Sequence, residues 1–482
     1  MVVGASGDLA RRKIFPALFA LYCQDLLPHS FRIIGYARSE MTDAEFRNRI
    51  TENLTCRYAP GESCADKMAS FLSNCHYVSG RYDSPDSFEN LHMRLREIEG
   101  DEEAHRMFYL AIPPFLFVDV ARSLQSAGLV TSPRDGQWTR AVIEKPFGFD
   151  RASSDELVKD LRKVFSEDQT YRIDHYLGKE VIQNLLVLRF ANLIFDPMWN
   201  RSYIDNVQIT WSEDIGVEGR GQYFDSYGII RDVIQNHLIQ ILALIAIEQP
   251  VHPDARDIRD EKVKVLRSIA PLTMDDLVVG QYRASTNEGR KSPGYTEDET
   301  VPNDSLTPTY AAAVLNIHNR RWDGVPFLVR AGKGLSDKKS EVRIQFRSVP
   351  GNIFRRSNDK LSSNELLIRI QPDETIAFRV NSKVPGLEMQ LAQSDLDLQY
   401  QLAFEKEIPD AYECLLLDVL RGDKSLFIRA DELAAAWDIF TPVLHQLEEK
   451  KIRPEGYAFG SEGPAGADEL AAKYGVPPSR VG

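Results

Sequence analysis

Positive charge is the scarcer kind in this chain: 58 Lys and Arg stand against 71 Asp and Glu, leaving a net charge of −13. Binding along a nucleic-acid backbone needs an extended basic surface, so nucleic acid is excluded as a partner, and any phosphate-bearing ligand must be met by a local basic pocket. Long apolar runs are missing as well. The most lipid-like one, Leu238–Ile247, is interrupted by Gln240 and falls short of the roughly 20 residues that span a bilayer. It reads as a buried core helix, and no membrane partner is expected.

Cysteine is sparse and odd in number: Cys23, Cys56, Cys64, Cys75 and Cys414. An odd count in a long chain favours reduced thiols in a reducing compartment, the cytoplasm first among them. Cys56, Cys64, Cys75 and His76 fall in one stretch, but their spacing matches no paired zinc pattern, so no metal site is expected there. The opening residues MVVGASGD lack the charged start and long apolar centre of a signal peptide. They read as a chain that begins inside its first strand, with further native sequence expected ahead of it.

What the chain does contain begins with 482 residues, enough for two or three domains, of which 43% are hydrophobic and can build large soluble cores. In VVGASGDLA, Gly4, Gly7 and Ala10 form a G-x-x-G-x-x-A turn, followed by the helical spacing of Ile14, Leu18 and Leu21 with Phe15 and Phe19. Glycine suits such a turn because a pyrophosphate approaches the backbone where a Cβ would obstruct it. The strand Phe31–Tyr36 ends in Ala37-Arg38-Ser39, and an arginine there fits the 2′-phosphate of NADP rather than the free hydroxyl of NAD. Met107–Ile112 is a buried parallel strand by its continuous apolar character. The strand Arg140–Ile143 runs into Glu144-Lys145-Pro146-Phe147-Gly148, where Pro146 forces Lys145 out of the helical region and suits a cis bond. A lysine at the carboxyl end of a parallel strand faces the crevice where such sheets bind ligands.

The stretch Tyr171–Glu180, YRIDHYLGKE, sets Arg172, His175 and Lys179 as phosphate ligands around Asp174 and Tyr176. Helical spacing follows in Val181, Ile182, Leu185, Leu186, Leu188 and Leu193, with Gly178 at the helix entry, where unpaired amides favour an anion. The bland alternative is a solvated helix cap. Beyond residue 200 the period changes to two: Val207, Ile209, Trp211; Val342, Ile344, Phe346; Leu366, Ile368, Ile370. This fits a large antiparallel sheet with one face on a core. The boundary is therefore expected near residues 165–172, dividing the chain into 1–170 and 171–482. In the helical stretch Gly228–Glu248, His237 shares an apolar stripe with Ile230, Ile234, Ile241 and Leu244, amid polar Arg231, Asp232, Gln235 and Asn236. Periodicity alone leaves two readings, a satisfied core histidine or a desolvated base for a sugar hydroxyl.

In order, GASGDLA, GYARS, EKPFG, RIDHYLGKE, EGRGQYFD, IIRDVIQNHL and WDGVPFLVRAGKG resemble the glucose-6-phosphate dehydrogenase family over nearly the whole chain. The resemblance implies an N-terminal Rossmann-like α/β domain and a larger C-terminal α+β domain built on a mostly antiparallel sheet. It also implies oxidation of glucose 6-phosphate to 6-phosphogluconolactone with hydride transfer from C1 to NADP, the first step of the oxidative pentose phosphate pathway. By that likeness His237 is the general base and Asp174 orients it; His175, Tyr176 and Lys179 hold the sugar phosphate. Lys145, Glu213, Asp232, Lys333, Lys338 and Gln371 complete the substrate set. Gly4, Ala5, Ser6, Gly7, Asp8, Leu9, Arg38, Phe117 and Lys145 meet the coenzyme, and Arg330, Lys339, Arg343 and Arg369 a second, structural NADP. A homodimer or homotetramer through the C-terminal sheet is implied too. The alternative enzyme is a sugar dehydrogenase of the glucose-fructose oxidoreductase type, which shares the E-K-P lysine and helical histidine but acts mostly on unphosphorylated sugars. A non-enzymatic NADPH sensor is the alternative of another class, and it would have no use for Asp174 and His237.

Overall fold

Buried apolar strands alternating with helices form the first half. They are β1 (Val2–Val3), β2 (Ile33–Ala37), β3 (Cys75–Ser79), β4 (Arg106–Leu110), β5 (Thr139–Ile143) and β6 (Thr170–Ile173). The computed structural model describes all residues except 59, 60, 62, 101–103, 132–136, 288, 289, 357–361, 405 and 478–482. The strands run parallel in the order β6-β5-β4-β1-β2-β3, as expected of a Rossmann-like sheet. Strand order reverses between β1 and β4, and ligands of such sheets bind outside the carboxyl ends at that reversal.

The chain divides into two compact units: Met1–Gly178 with His252–Arg259 and Pro409–Leu433, and Lys179–Val251 with Asp260–Ile408 and Ala434–Gly482. A single cut after residue 170 does not reproduce this division. The outer edge of β6 is closed by Phe427–Ile428, an antiparallel strand from far along the chain. The helix Ala411–Arg421 packs against the turn His175–Gly178 and the helix Phe15–Cys23. One distant segment, Pro409–Leu433, thus completes the first core, which local periodicity cannot reveal.

The second unit holds a nine-stranded sheet. Its strands are β7 (Ile204–Ser212), β8 (Leu277–Arg283), β11 (Tyr310–Asn316), β12 (Pro326–Gly332), β13 (Lys339–Phe346), β14 (Glu365–Gln371), β15 (Thr375–Lys383), β16 (Leu391–Gln399) and the short Glu455–Ala458. A separate ribbon pairs β9 (Ser285–Asn287) with β10 (Arg290–Ser292). The order is β16-β15-β14-β13-β7-β12-β11-β8 and then Glu455–Ala458, antiparallel except for β7 with β12 and β8 with Glu455–Ala458. The period-two residues Val207, Ile209, Val342, Ile344, Leu366, Ile368 and Ile370 are all buried, as the pattern predicts.

Three local expectations are corrected. The stretch expected as one α-helix over 228–248 is three pieces. Gly221–Ile229 bends at Gly228 (φ 67°, ψ 170°), Ile230–Leu238 is wound as a π-helix, and Ile239–Ala246 resumes the α form. The π segment leaves the expected 100° stripe because more than 3.6 residues make each turn. The apolar tail of this stretch is nevertheless core: 89% of the most apolar window in Gly221–Ala246 is buried within the protein. Its orphan C-terminal carbonyls are capped by buried donors, Trp199 Nε1 to Ile245 O (2.8 Å), Trp322 Nε1 to Ala246 O (2.9 Å) and the Arg189 guanidinium to Leu244 O and Ile247 O (3.2 and 2.7 Å). Second, the helix after Lys179 runs Glu180–Phe190 and stops, so Leu193 lies past its end and is 88% exposed instead of continuing the stripe. Third, not all thiols are reduced. Cys56 and Cys64 form a disulfide with their Cα atoms 5.7 Å apart, while Cys23, Cys75 and Cys414 are free. An odd count leaves one thiol over but does not forbid a pair eight residues apart.

Candidate active site

In the first unit, the dinucleotide half is built at the β1/β4 reversal. Gly4 leaves β1 with φ 89°, its amide donates to Tyr36 O (2.8 Å), and a Cβ there would run into the Ala111 carbonyl just past β4. Only glycine allows the two strand ends to meet so closely. Ser6 is half-buried, Gly7 and Asp8 are exposed, and Asp8 is ion-paired with Arg11 at 2.8 Å. Leu9 is half-buried, and Ala5 is buried, so Ala5 offers a ligand only backbone. Past β2, the exposed Arg38 lies over the Tyr82 ring at 5.7 Å. A glycine turn at the reversal, an open 6–8 segment leading into a helix, and an exposed guanidinium at the next strand end fit a dinucleotide with a 2′-phosphate. Phe117 does not belong to this set. It starts the helix Phe117–Ser126 with a side chain that is 0% exposed, so it presents no surface to a coenzyme.

At the ends of β5 and β6 lie the first unit's other predicted groups. Lys145 is half-buried and precedes Pro146 through a cis peptide bond, as the sequence suggests. Glu144 is buried, and its Oε1 accepts from Tyr109 Oη (2.5 Å) and Tyr412 Oη (3.2 Å). Burial raises the Glu144 carboxyl and pushes both phenols well above their ordinary range. Asp174, also buried, accepts the Tyr176 amide on Oδ1 at 2.9 Å, an Asx-type turn that starts the 3₁₀ segment His175–Gly178. His175 is half-buried and Tyr176 buried. Arg172 is corrected: it is 2% exposed, bonded to Glu167 (2.7 Å) and to Ile428 O (3.3 Å), and so is no phosphate ligand. Burial works to raise the Glu167 carboxyl, yet Arg172 and the Ala430 amide outweigh it and hold the group below its usual value.

In the second unit, register brings the predicted substrate residues to one end of the sheet. β7 and β12 are parallel and end together at Ser212 and Gly332; Lys339 at the start of β13 pairs with Ser212, and Ser340 pairs with Gln371 at the end of β14. Glu213, Lys333, Lys338 and Gln371 therefore share one rim. Lys333 Nζ donates to Glu213 Oε2 at 2.5 Å and sits over the rings of Trp211 (5.4 Å) and Phe224 (5.5 Å). Lys338 is exposed. Lys179, the N-cap of the helix Glu180–Phe190, reaches the same rim and donates to Gln371 Oε1 at 3.0 Å. Glu374 was not foreseen: burial raises its carboxyl while the Lys179 charge opposes. The π segment packs against β12; it carries Asp232 in its first turn and His237 in its last, the latter 3% exposed.

The cations of the second nucleotide site lie on the opposite, polar face of this sheet, where Arg330, Thr210, Glu341 and Arg369 follow one another across β12, β7, β13 and β14. Three of the four already face carboxylates. Arg330 is paired with Asp468 (3.6 Å), Lys339 with Asp337 (3.0 Å), and Arg343 with Glu341 (2.8 Å) and Glu365 (3.8 Å). Of these four cations, Arg369 is the one with no ion pair among the described residues.

Residues 1–184 match the family model "Glucose-6-phosphate dehydrogenase, NAD binding domain" and residues 186–477 match "Glucose-6-phosphate dehydrogenase, C-terminal domain". The chain is 57% identical over 478 residues to the chloroplastic glucose-6-phosphate 1-dehydrogenase 1 of Arabidopsis thaliana, covering 98% of this chain and 82% of that protein. It is 49% identical to the cytoplasmic isoform of Solanum tuberosum, covering 98% and 91%. A solved glucose-6-phosphate dehydrogenase in complex with its substrate glucose 6-phosphate superposes with a TM-score of 0.92 at 44% identity, covering 99% of this chain and 98% of that one. With both halves matched and identity this high over nearly all its length, the chain belongs to the glucose-6-phosphate dehydrogenase family.

Proposed function

We propose that this chain oxidises glucose 6-phosphate at C1, giving 6-phosphogluconolactone and NADPH. The observation that carries this reading is the rim of the second sheet. There Lys179 and Lys338 offer charge to a phosphate, and the Glu213–Lys333 pair offers an acceptor and a donor to sugar hydroxyls. NADP, when bound, supplies the acceptor for the C1 hydride.

The residues act as follows. Lys179, His175 and Tyr176 tether the sugar by its phosphate, which spends binding energy far from the reacting carbon on orientation. Glu213, Asp232 and Lys333, with Gln371, fix the ring through its hydroxyls, while Lys338 adds its charge to the phosphate. His237 takes the proton from the C1 hydroxyl, and Asp174 orients its imidazole and stabilises the cation that forms. Lys145 reaches both ligands. Gly4 through Leu9 cradle the pyrophosphate with backbone, and Arg38 meets the 2′-phosphate.

Relatives work in the chloroplast and the cytoplasm, and we read the compartment of this chain as one of the two. We read the chain as a homodimer or homotetramer joined through the second sheet, whose edge strand β16 and its neighbours expose Leu387, Met389, Leu396 and Leu402. The glucose-fructose oxidoreductase alternative is not favoured, since both family models and the high-identity relatives point elsewhere. Rates of NADPH formation on glucose 6-phosphate and on glucose test the reading. The phosphorylated sugar is expected to be strongly preferred, and equal rates on both would reject the phosphate site.

A further inference from the structure

Glu144 and Tyr412 have no step in the chemistry above, yet both lie against groups that do. Tyr412 arrives from the segment Pro409–Leu433, which returns to the first unit from far along the chain. Its ring lies nearly parallel to the His175 imidazole, with planes 9° and centroids 6.1 Å apart, an offset-stacked arrangement. Its hydroxyl donates to Glu144 Oε1 at 3.2 Å, and Tyr109 donates to the same oxygen at 2.5 Å. Glu144 is the residue before Lys145, so one buried phenol bridges the ends of β5 and β6.

The phenol is itself firmly held. Asp410 caps its helix, accepting from the Tyr412 amide (3.0 Å) and from Lys13 Nζ (2.9 Å). Tyr58 and Arg57 both donate to Glu413, one residue on. The helix start also presses on the turn that carries His175: a Cβ on Gly178 would lie 2.5 Å from Ala411 O. A rigid ring against the imidazole removes rotamers that His175 would otherwise have to give up on binding an anion.

We propose that Tyr412 is a positioning residue of the phosphate site: its ring holds His175 in the orientation that meets the sugar phosphate, and its hydrogen bond to Glu144 locks the ring and ties it to the Lys145 turn. This rests on the reading of His175 as a phosphate ligand. No proton or electron passes through Tyr412, so its loss is felt in sugar affinity and not in the chemical step.

The test is a double-mutant cycle read in steady-state kinetics, with NADP affinity by fluorescence measured on the same preparations as a check of the fold. Tyr412→Leu is expected to raise the KM for glucose 6-phosphate about tenfold, with kcat within about twofold and the KM for NADP unchanged. Tyr412→Phe keeps the ring and recovers most of that loss. In a His175→Ala background the Tyr412→Leu change adds nothing further, because the group it acts through is gone. Equal effects of Tyr412→Leu with and without His175 mean general packing and overturn the proposal, as does a wild-type KM in Tyr412→Leu beside a raised one in His175→Ala. A wild-type KM in His175→Ala instead strikes the phosphate-site reading itself. Should Tyr412→Leu lose NADP binding and fail to fold, Tyr412→Phe carries the same cycle: its smaller rise, about two- to threefold, must also vanish without His175.

Discussion

Two side chains of very different kind illustrate how burial sets behaviour at the scale of single residues. His237 is buried in the last turn of the π segment whose first turn carries Asp232. Replacing it with alanine is expected to lower kcat by about 10²–10⁴-fold with little change in the KM for glucose 6-phosphate, the loss typical of a general base. An unchanged kcat would return His237 to the status of an ordinary core histidine. Asp418, on the helix Ala411–Arg421, is pushed up to about 7 by burial, with Asp423 adding to the shift and Arg421 opposing it. A carboxyl whose folded pKa lies above its unfolded one binds more protons when folded, so stability falls as pH rises between about 4 and 7 and the whole penalty is present above that window. Asp418→Asn should therefore raise Tm in scanning calorimetry near pH 8, with the gain shrinking to nothing near pH 4.

At the scale of elements, the helix that carries Asp232 and His237 depends on a glycine. Gly228 sits at φ 67° and ψ 170°, a conformation open essentially to glycine alone, and the chain beyond it is fastened by Ile229 N to Pro308 O at 3.1 Å. Alanine there would be strained by about 1–3 kcal/mol, and the Thr307 methyl would have to give as well. Gly228→Ala is expected to lower Tm by several degrees and to lower kcat too, since the π segment begins two residues later. A variant with reduced Tm and intact kcat would show that bend and catalytic segment are uncoupled. The strand β6 teaches a related lesson. Its sequence placed Arg172 among phosphate ligands, but alternation along the strand turns that side chain toward Glu167 and the strand Phe427–Ile428. Spacing along the chain could not say which face another segment would cover.

For the whole molecule, the ion pairs on the polar face of the second sheet bear on how many coenzymes a chain takes. Arg330, Lys339 and Arg343 are each matched by a carboxylate, so a second dinucleotide would have to displace Asp468, Asp337 or Glu341. Titration calorimetry is expected to give one NADP per chain, and a second equivalent would mean that these pairs yield to phosphate. The exposed leucines near β16 carry the assembly prediction. Leu396, 64% exposed on the edge strand, is expected on mutation to aspartate to shift light-scattering mass toward the single chain, because burying an unpaired charge at an interface is costly. An unchanged mass would move the interface elsewhere.

The sequence by itself determined what depends on neighbours in the chain. The glycine turn, the buried parallel strands, the cis bond before Pro146, the period-two sheet and the cluster from Asp174 to Lys179 are all set within short windows, where steric limits and hydrophobic period act. Tyr412 and Glu374, and the bonding of Glu144, escaped notice because each is defined by a partner remote in sequence, as is the returning segment Pro409–Leu433 that completes the first core. The Asp410 cap foretells a helix at 411, but nothing near it names His175 as the ring it will cover. Tertiary structure alone decided those pairings, because the surroundings that raise a carboxyl, pair an arginine with a carboxylate or cover an imidazole are created by whatever packs across from it.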